Sequence, residues 1–267
     1  MPLLAGYMVP HPPIAVPEIG RGEELKITDT LTSFDEVASD IASVKPDTII
    51  LTSPHLILYR DYFHISPGRS AIGDFSRFGA RGVTFSTQYD EELAEVIASE
   101  ADKAGISAGF EGERDPLLDH GTTVPMYFIN KRFTDYKLIR IGLSGFNLQT
   151  HYDFGKAIRK AIDKTGRRAV FVASGDLSHC QKEDGPYGFH KEGPIYDEKI
   201  METMGAGDFK ALINYDEGLL DASMECGHRS FTIMGGAFDG VKFSTKKLSH
   251  EATFGVGYGF CIYHTEV

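Results

Sequence analysis

Apolar residues recur along this chain in two periods, and the two alternate. Leu3–Val9 is a short, almost unbroken apolar run closed by Pro10, the pattern of a buried strand. Over Ile27–Val44, Leu31, Phe34, Val37 and Ile41 repeat at three- and four-residue steps, which predicts a helix. Thr48–Thr52 is a second compact strand, stopping before Pro54 and His55. Together they make one β–α–β unit, the building block of a parallel sheet.

Between Tyr59 and Phe85 the period is loose, and only a short strand at Tyr62–Ser66 stands out before an irregular excursion. Asp90–Lys103 reads as a helix capped by Asp90 and ended by Gly105. Thr122–Asn130 reads as another, with Pro125 in its first turn. A strand at Lys137–Gly142, an amphipathic helix at Asn147–Lys164 and a buried strand at Ala169–Ala173 continue the alternation. Helices follow around Pro194–Met204, Asp208–Ile213 and Ser230–Phe238, and strands at Val241–Leu248 and Val256–His264 close the chain. The order predicts a three-layer α/β/α sandwich whose mixed central sheet is mainly parallel, with antiparallel additions late in the chain. Without repeats or low-complexity linkers, residues 1–267 read as a single domain.

Composition narrows the partners. A formal charge of −11 argues against a nucleic-acid backbone, which needs clustered Lys and Arg. No apolar run approaches the ~20 residues of a membrane span, and the N-terminus lacks the features of a secretory signal. Three cysteines without CxxC spacing fit free thiols, and a cytoplasmic location is expected.

The chemistry lies in the histidines. His11 in VPHPP, His55 in LTSPH and His179 in ASGDLSH each follow a predicted strand. In a parallel sheet such ends face one crevice, where ligands bind. Singly, each is more often a surface or hydrogen-bonded imidazole; three delivered to one side is a pattern that core packing does not require. His120 in LDHGTTVPMYF lies at a helix start, where capping competes with a role in the site. Glu225 in SMECGHRSF is the candidate carboxylate for a two-His-one-carboxylate face, the arrangement of O2-activating non-haem Fe(II) enzymes, with Cys226 and His228 as rivals. Asp176 is placed to orient His179 or simply to cap a turn. Tyr187 and His190, in a Gly/Pro loop, are candidates for the substrate side. His64, His151, His250 and His264 lie where capping or polar-face roles suffice. Phosphate-loop and nucleophile-elbow patterns are absent.

Taken in order and spacing, VPHPP, TSPH, LDHGTTVPMYF, ASGDLSH and ECGHRSF resemble the B-subunit domain of class III extradiol ring-cleaving dioxygenases. DYFHISPG, GDLSHCQKEDGPYGFHKEGP and FGVGYGF further resemble the dioxygenase-like domain of AmmeMemoRadiSam system proteins and their Memo-like relatives, over nearly the whole chain. The resemblance implies metal ligation by His11, His55 and Glu225, although Memo-like relatives carry a cysteine near the last position. It implies acid–base work at His179 and contact with oxygen or substrate at His120. The implied activity is Fe(II)-dependent insertion of O2 into a catechol-like or aminophenol-like ring. The alternatives are a Memo-like metal-binding accessory protein without ring cleavage, holding Zn(II) or Cu, and, last, a zinc hydrolase. A homo-oligomer or a separate partner domain is also implied.

Overall fold

The computed structural model describes residues 2–266. Strands β1 (Leu3–Val9), β2 (Thr48–Ser53), β3 (Phe63–His64), β4 (Ser70–Phe75), β5 (Ala80–Tyr89), β6 (Ala108–Gly109), β7 (Lys137–Gly142), β8 (Ala169–Ser174), β9 (Phe243–Glu251) and β10 (Tyr258–Thr265) alternate with helices. The helices are α1 (Pro17–Gly20), α2 (Thr28–Val44), α3 (Glu91–Lys103), α4 (His120–Asn130), α5 (Leu148–Thr165), α6 (Glu192–Ala206), α7 (Glu217–Ser223) and α8 (His228–Ala237).

Eight strands form one sheet in the order β4-β5-β7-β2-β8-β1-β10-β9. From β5 to β1 the neighbours are parallel, and both edges are antiparallel additions. Side chains alternate across a strand, so a continuous apolar run supplies both faces. Met8, Ile50, Ile139, Ile141 and Phe171 join one core with residues of α3, α5, α6 and α8. Tyr7, Val9, Ile49, Leu51, Leu138, Val170 and Val172 join the other with residues of α2 and α4. These are the three layers that the alternation of periods predicts.

Three departures bear on the site or on how the chain reads. The excursion after β3 is a hairpin, β4 and β5, which extends the sheet at one edge. Two of the buried positions on β4 are Ala71 and Gly73, too small to register as an apolar period. Helix α4 begins two residues before the expected start because the Asp119 carboxylate accepts the backbone N–H and the hydroxyl of Thr122. His120 therefore opens the helix, and Pro125 lies inside it rather than in the first turn. The expected helix at Asp208–Ile213 is a 3₁₀ segment, Phe209–Asn214, followed by α7.

Candidate metal centre

Because β1, β2 and β8 are parallel neighbours, the residues beyond their C-terminal ends emerge at one edge. His11 follows β1, and its backbone N–H donates to Asp176 Oδ1 at 2.7 Å, tying it to the loop after β8. A second loop, Glu225–Gly227 before α8, reaches the same place. Its Cys226 N–H donates to the Asp176 carbonyl, and the Asp176 N–H donates back to the Cys226 sulfur, both at 3.3 Å. This close approach depends on Gly175: a Cβ there would lie 2.1 Å from the Gly227 Cα.

The result is a compact donor cluster. His55 Nε2 is 2.9 Å from His11 Nε2, and Cys226 Sγ is 3.7 Å from the same nitrogen. The three donor atoms lie within 4.8 Å of one another, the grouping of potential metal ligands among the described residues. Imidazole nitrogens bound at ~2.0–2.1 Å and a thiolate at ~2.3 Å to one ion span comparable edges. His11 is buried, Cys226 half-buried and His55 exposed, so the cluster opens toward His55. His120 stacks on His55 with ring centres 3.9 Å apart, and lies 5.4 Å from the His11 ring.

Glu225 is placed differently from its expected position beside the histidines. Its carboxylate accepts the His228 backbone N–H at 2.6 Å, at the first turn of α8, and it is Cys226 that turns to the imidazoles. The two are adjacent on a non-helical turn, so their side chains leave in different directions. His228, the other rival, is buried away from the cluster, its Nε2–H donating to the Leu212 carbonyl. Asp176 orients His11 and not His179: its carboxylate oxygens lie 2.7 Å from the His11 N and 3.8 Å from its Nε2. His179 is oriented instead by the Met224 carbonyl, which accepts Nδ1–H at 2.6 Å and leaves Nε2 free. Tyr187 packs edge-on against His179 at 5.3 Å, and the His190 Nδ1–H donates to the Ala222 carbonyl. His64, His151, His250 and His264 pair with Glu111, Asn147, Asp197 and Asp40, away from the cluster.

Electrostatics keep the cluster neutral. Burial lowers His11 well below the usual imidazole range, and neighbouring His55 adds to this. His55 falls to about 4 through loss of water and the nearby His120. His120 and His179 are also lowered by burial. Neutral imidazoles with free nitrogens are what a cation requires. Burial pushes the Cys226 thiol well up, with Asp176 and Glu225 adding to the effect, so the thiol ionises only when a cation compensates it. Burial raises Asp176 and Glu225 to about 7 each.

Beside His55 and His120 lies a cleft of about 440 Å³, lined also by Phe78, Leu118, Arg77 and Arg140. Arg140 is buried and committed, donating to Ser66 Oγ and to the carbonyls of Leu117 and Asp115. Tyr187 and His190 are not among the lining residues.

Residues 5–261 match the family model described as the catalytic LigB subunit of aromatic ring-opening dioxygenase, and the chain belongs to that family. It is 38% identical over 275 residues to Protein CA_C1420 of Clostridium acetobutylicum, covering 97% of this chain and 57% of that one. The chain thus spans little more than half the length of this relative. It is 26% identical over 238 residues to the 2-aminophenol 1,6-dioxygenase beta subunit of a Pseudomonas species, covering 77% of this chain and 75% of that one. A MEMO1 family protein of Pyrobaculum aerophilum is 28% identical over 166 residues, covering 57% of this chain and 55% of that one. An uncharacterized protein of Escherichia coli K12 shares the fold, with a TM-score of 0.61 and 13% identity over 98% of this chain and 99% of that one.

Two imidazoles and a thiol fit a thiophilic transition metal such as copper or zinc. They depart from the two-His-one-carboxylate face of non-haem Fe(II), because Glu225 is engaged at α8.

Proposed function

We propose that this chain is a metal-binding member of the family that replaces the carboxylate donor with a thiolate. It holds one copper or zinc ion on His11, His55 and Cys226 and does not open catechol rings. The observation that carries the reading is the Cys226 sulfur, 3.7 Å from His11 Nε2, with the neighbouring Glu225 carboxylate turned to α8. A bound ion would supply Lewis acidity and, for copper, one-electron redox chemistry at the mouth of the cleft. The protein's own residues would do the rest. Phe78 and Leu118 offer apolar surface to a small aromatic molecule beside His55 and His120. His179, with Nδ1–H held by Met224, presents a free Nε2 able to accept a proton from a hydroxyl or amine of that molecule.

A second reading keeps the ring-opening reaction: an Fe(II) dioxygenase acting with O2 on a catechol or aminophenol. The family match supports it, as do His120 and His179 flanking the donors, the acid–base and oxygen-side partners that this chemistry needs. One experiment separates the two. The purified protein is titrated anaerobically with Cu(I), Zn(II) and Fe(II). The Fe(II) form is then given a panel of catechols and aminophenols, and air is admitted. Tight copper or zinc binding that is lost in Cys226→Ser, with no O2 uptake and no yellow ring-opened product, is the expected result. Turnover by the Fe(II) form would transfer the assignment to the second reading.

A further inference from the structure

In α4 the carbonyl of residue 121 is due a hydrogen bond from the N–H of residue 125. Residue 125 is proline, which has none, so the Gly121 carbonyl lacks its helical donor. The structure places another one there: the Ser174 hydroxyl, at the end of β8, donates to the Gly121 oxygen at 2.6 Å. A hydroxyl has a single hydrogen. With that hydrogen committed to Gly121, Ser174 Oγ can only accept from its other neighbour, His11 Nδ1, 3.0 Å away. All three groups are buried, so water does not compete.

We propose that Pro125 and Ser174 are positioning residues that fix the tautomer of His11, holding its proton on Nδ1 and leaving the Nε2 lone pair toward His55 and Cys226. The chain of cause runs from a missing backbone donor, through one hydroxyl, to the nitrogen 2.9 Å from His55 Nε2. In the metal-free protein, His55 Nε2–H then donates to His11 Nε2. The consequence for metal affinity rests on the reading of His11 as a ligand; the tautomer itself does not.

The test uses metal-free protein with ¹⁵N-labelled histidine at pH 8, with tautomers read from long-range ¹H–¹⁵N correlations. His11 is expected as the Nδ1–H form. Ser174→Ala removes the acceptor and shifts His11 toward Nε2–H. Pro125→Ala supplies an N–H that competes for the Gly121 carbonyl and loosens the hold on the Ser174 hydroxyl, giving a shift in the same direction but smaller, because the carbonyl has two lone pairs. Zn(II) affinity should fall ~10-fold or more in Ser174→Ala, the usual cost of losing a partner behind a ligating histidine, and by less in Pro125→Ala. The double variant should be no weaker than Ser174→Ala alone, because Pro125 acts only through Ser174. An unchanged Nδ1–H tautomer in both single variants overturns the proposal, as does full additivity in the double variant. Wild-type protein that shows the tautomer pattern but binds no metal at His11 sinks the ligand reading and leaves this one standing.

Discussion

The sulfur of Cys226 stands 3.7 Å from Nε2 of His11, although the two residues are 215 positions apart in the chain. Glu225, one residue away from the sulfur, faces α8 instead. Which of two adjacent side chains meets the imidazoles decides which donors the cluster offers.

Exchanging the two side chains separately should therefore give opposite results. Cys226→Ser is expected to reduce copper affinity by ~10²-fold or more while leaving the thermal transition of the metal-free protein nearly unchanged. Glu225→Ala is expected to leave metal affinity within ~3-fold and to cost ~1–2 kcal/mol of stability, since the His228 N–H loses its acceptor. Isothermal titration and denaturant unfolding check the pair. Loss of metal in the Glu225 variant with retention in the Cys226 variant would restore the carboxylate as ligand.

Gly175→Ala should disturb the centre without touching a donor. The new Cβ meets backbone rather than a movable side chain, at 2.1 Å from Gly227 Cα, so the two loops must separate. Overpacking of this kind costs ~1–3 kcal/mol. Metal affinity should fall together with stability, because Cys226 travels with Gly227. A variant that loses stability but binds metal as the wild type does would show that the loops are not what positions the sulfur.

The buried histidines should cost the metal-free protein stability as the solution is acidified. His151 and His228 are fully buried, and burial lowers both to about 4. The unfolded chain takes up protons on these rings below the ordinary value of ~6.5, while the folded chain does not, so unfolding gains from each step downward in pH. The contribution of each ring is complete above pH ~6.5 and is lost as pH falls to about 4, at ~1.4 kcal/mol per pH unit per proton. Calorimetric scans between pH 4 and 7 should show the ring as a difference between proteins: as pH falls, the transition temperature of the wild type drops relative to that of His151→Gln, the raised Asp176 and Glu225 opposing the histidines equally in both. A slope that His151→Gln leaves unchanged would remove that ring from the account.

Chelation should be visible as destabilisation. An ion bound only by the folded chain adds ~2.7 kcal/mol at a free concentration of 100 Kd. Adding a chelator to loaded protein should lower the transition temperature by several degrees, and should have a much smaller effect on Cys226→Ser. Equal shifts in the two proteins would mean that the ion sits elsewhere.

Much of this was legible in the chain itself. The strands that carry His11 and His55 read clearly because their apolar runs are continuous, as strands buried on both faces must be. Their parallel pairing then obliges both imidazoles to the same edge. The hairpin of β4 and β5 was not legible, because small residues fill its buried positions. Nor was the choice between Glu225 and Cys226, since a turn has no fixed period from which to read direction. The role of Ser174 was hidden too. It rests on a contact between the end of β8 and the first turn of α4, and no periodicity in the sequence reports which hydroxyl meets the Gly121 oxygen.

An ion held by residues 11, 55 and 226 would act as a cross-link between the loops that follow β1 and β2 and the loop that precedes α8, joining residues up to 215 positions apart. A chain emerging from the ribosome would display only two of the three donors until residue 226 had been made. Tight loading would therefore wait for the third donor, and products truncated before it would release the metal they had picked up.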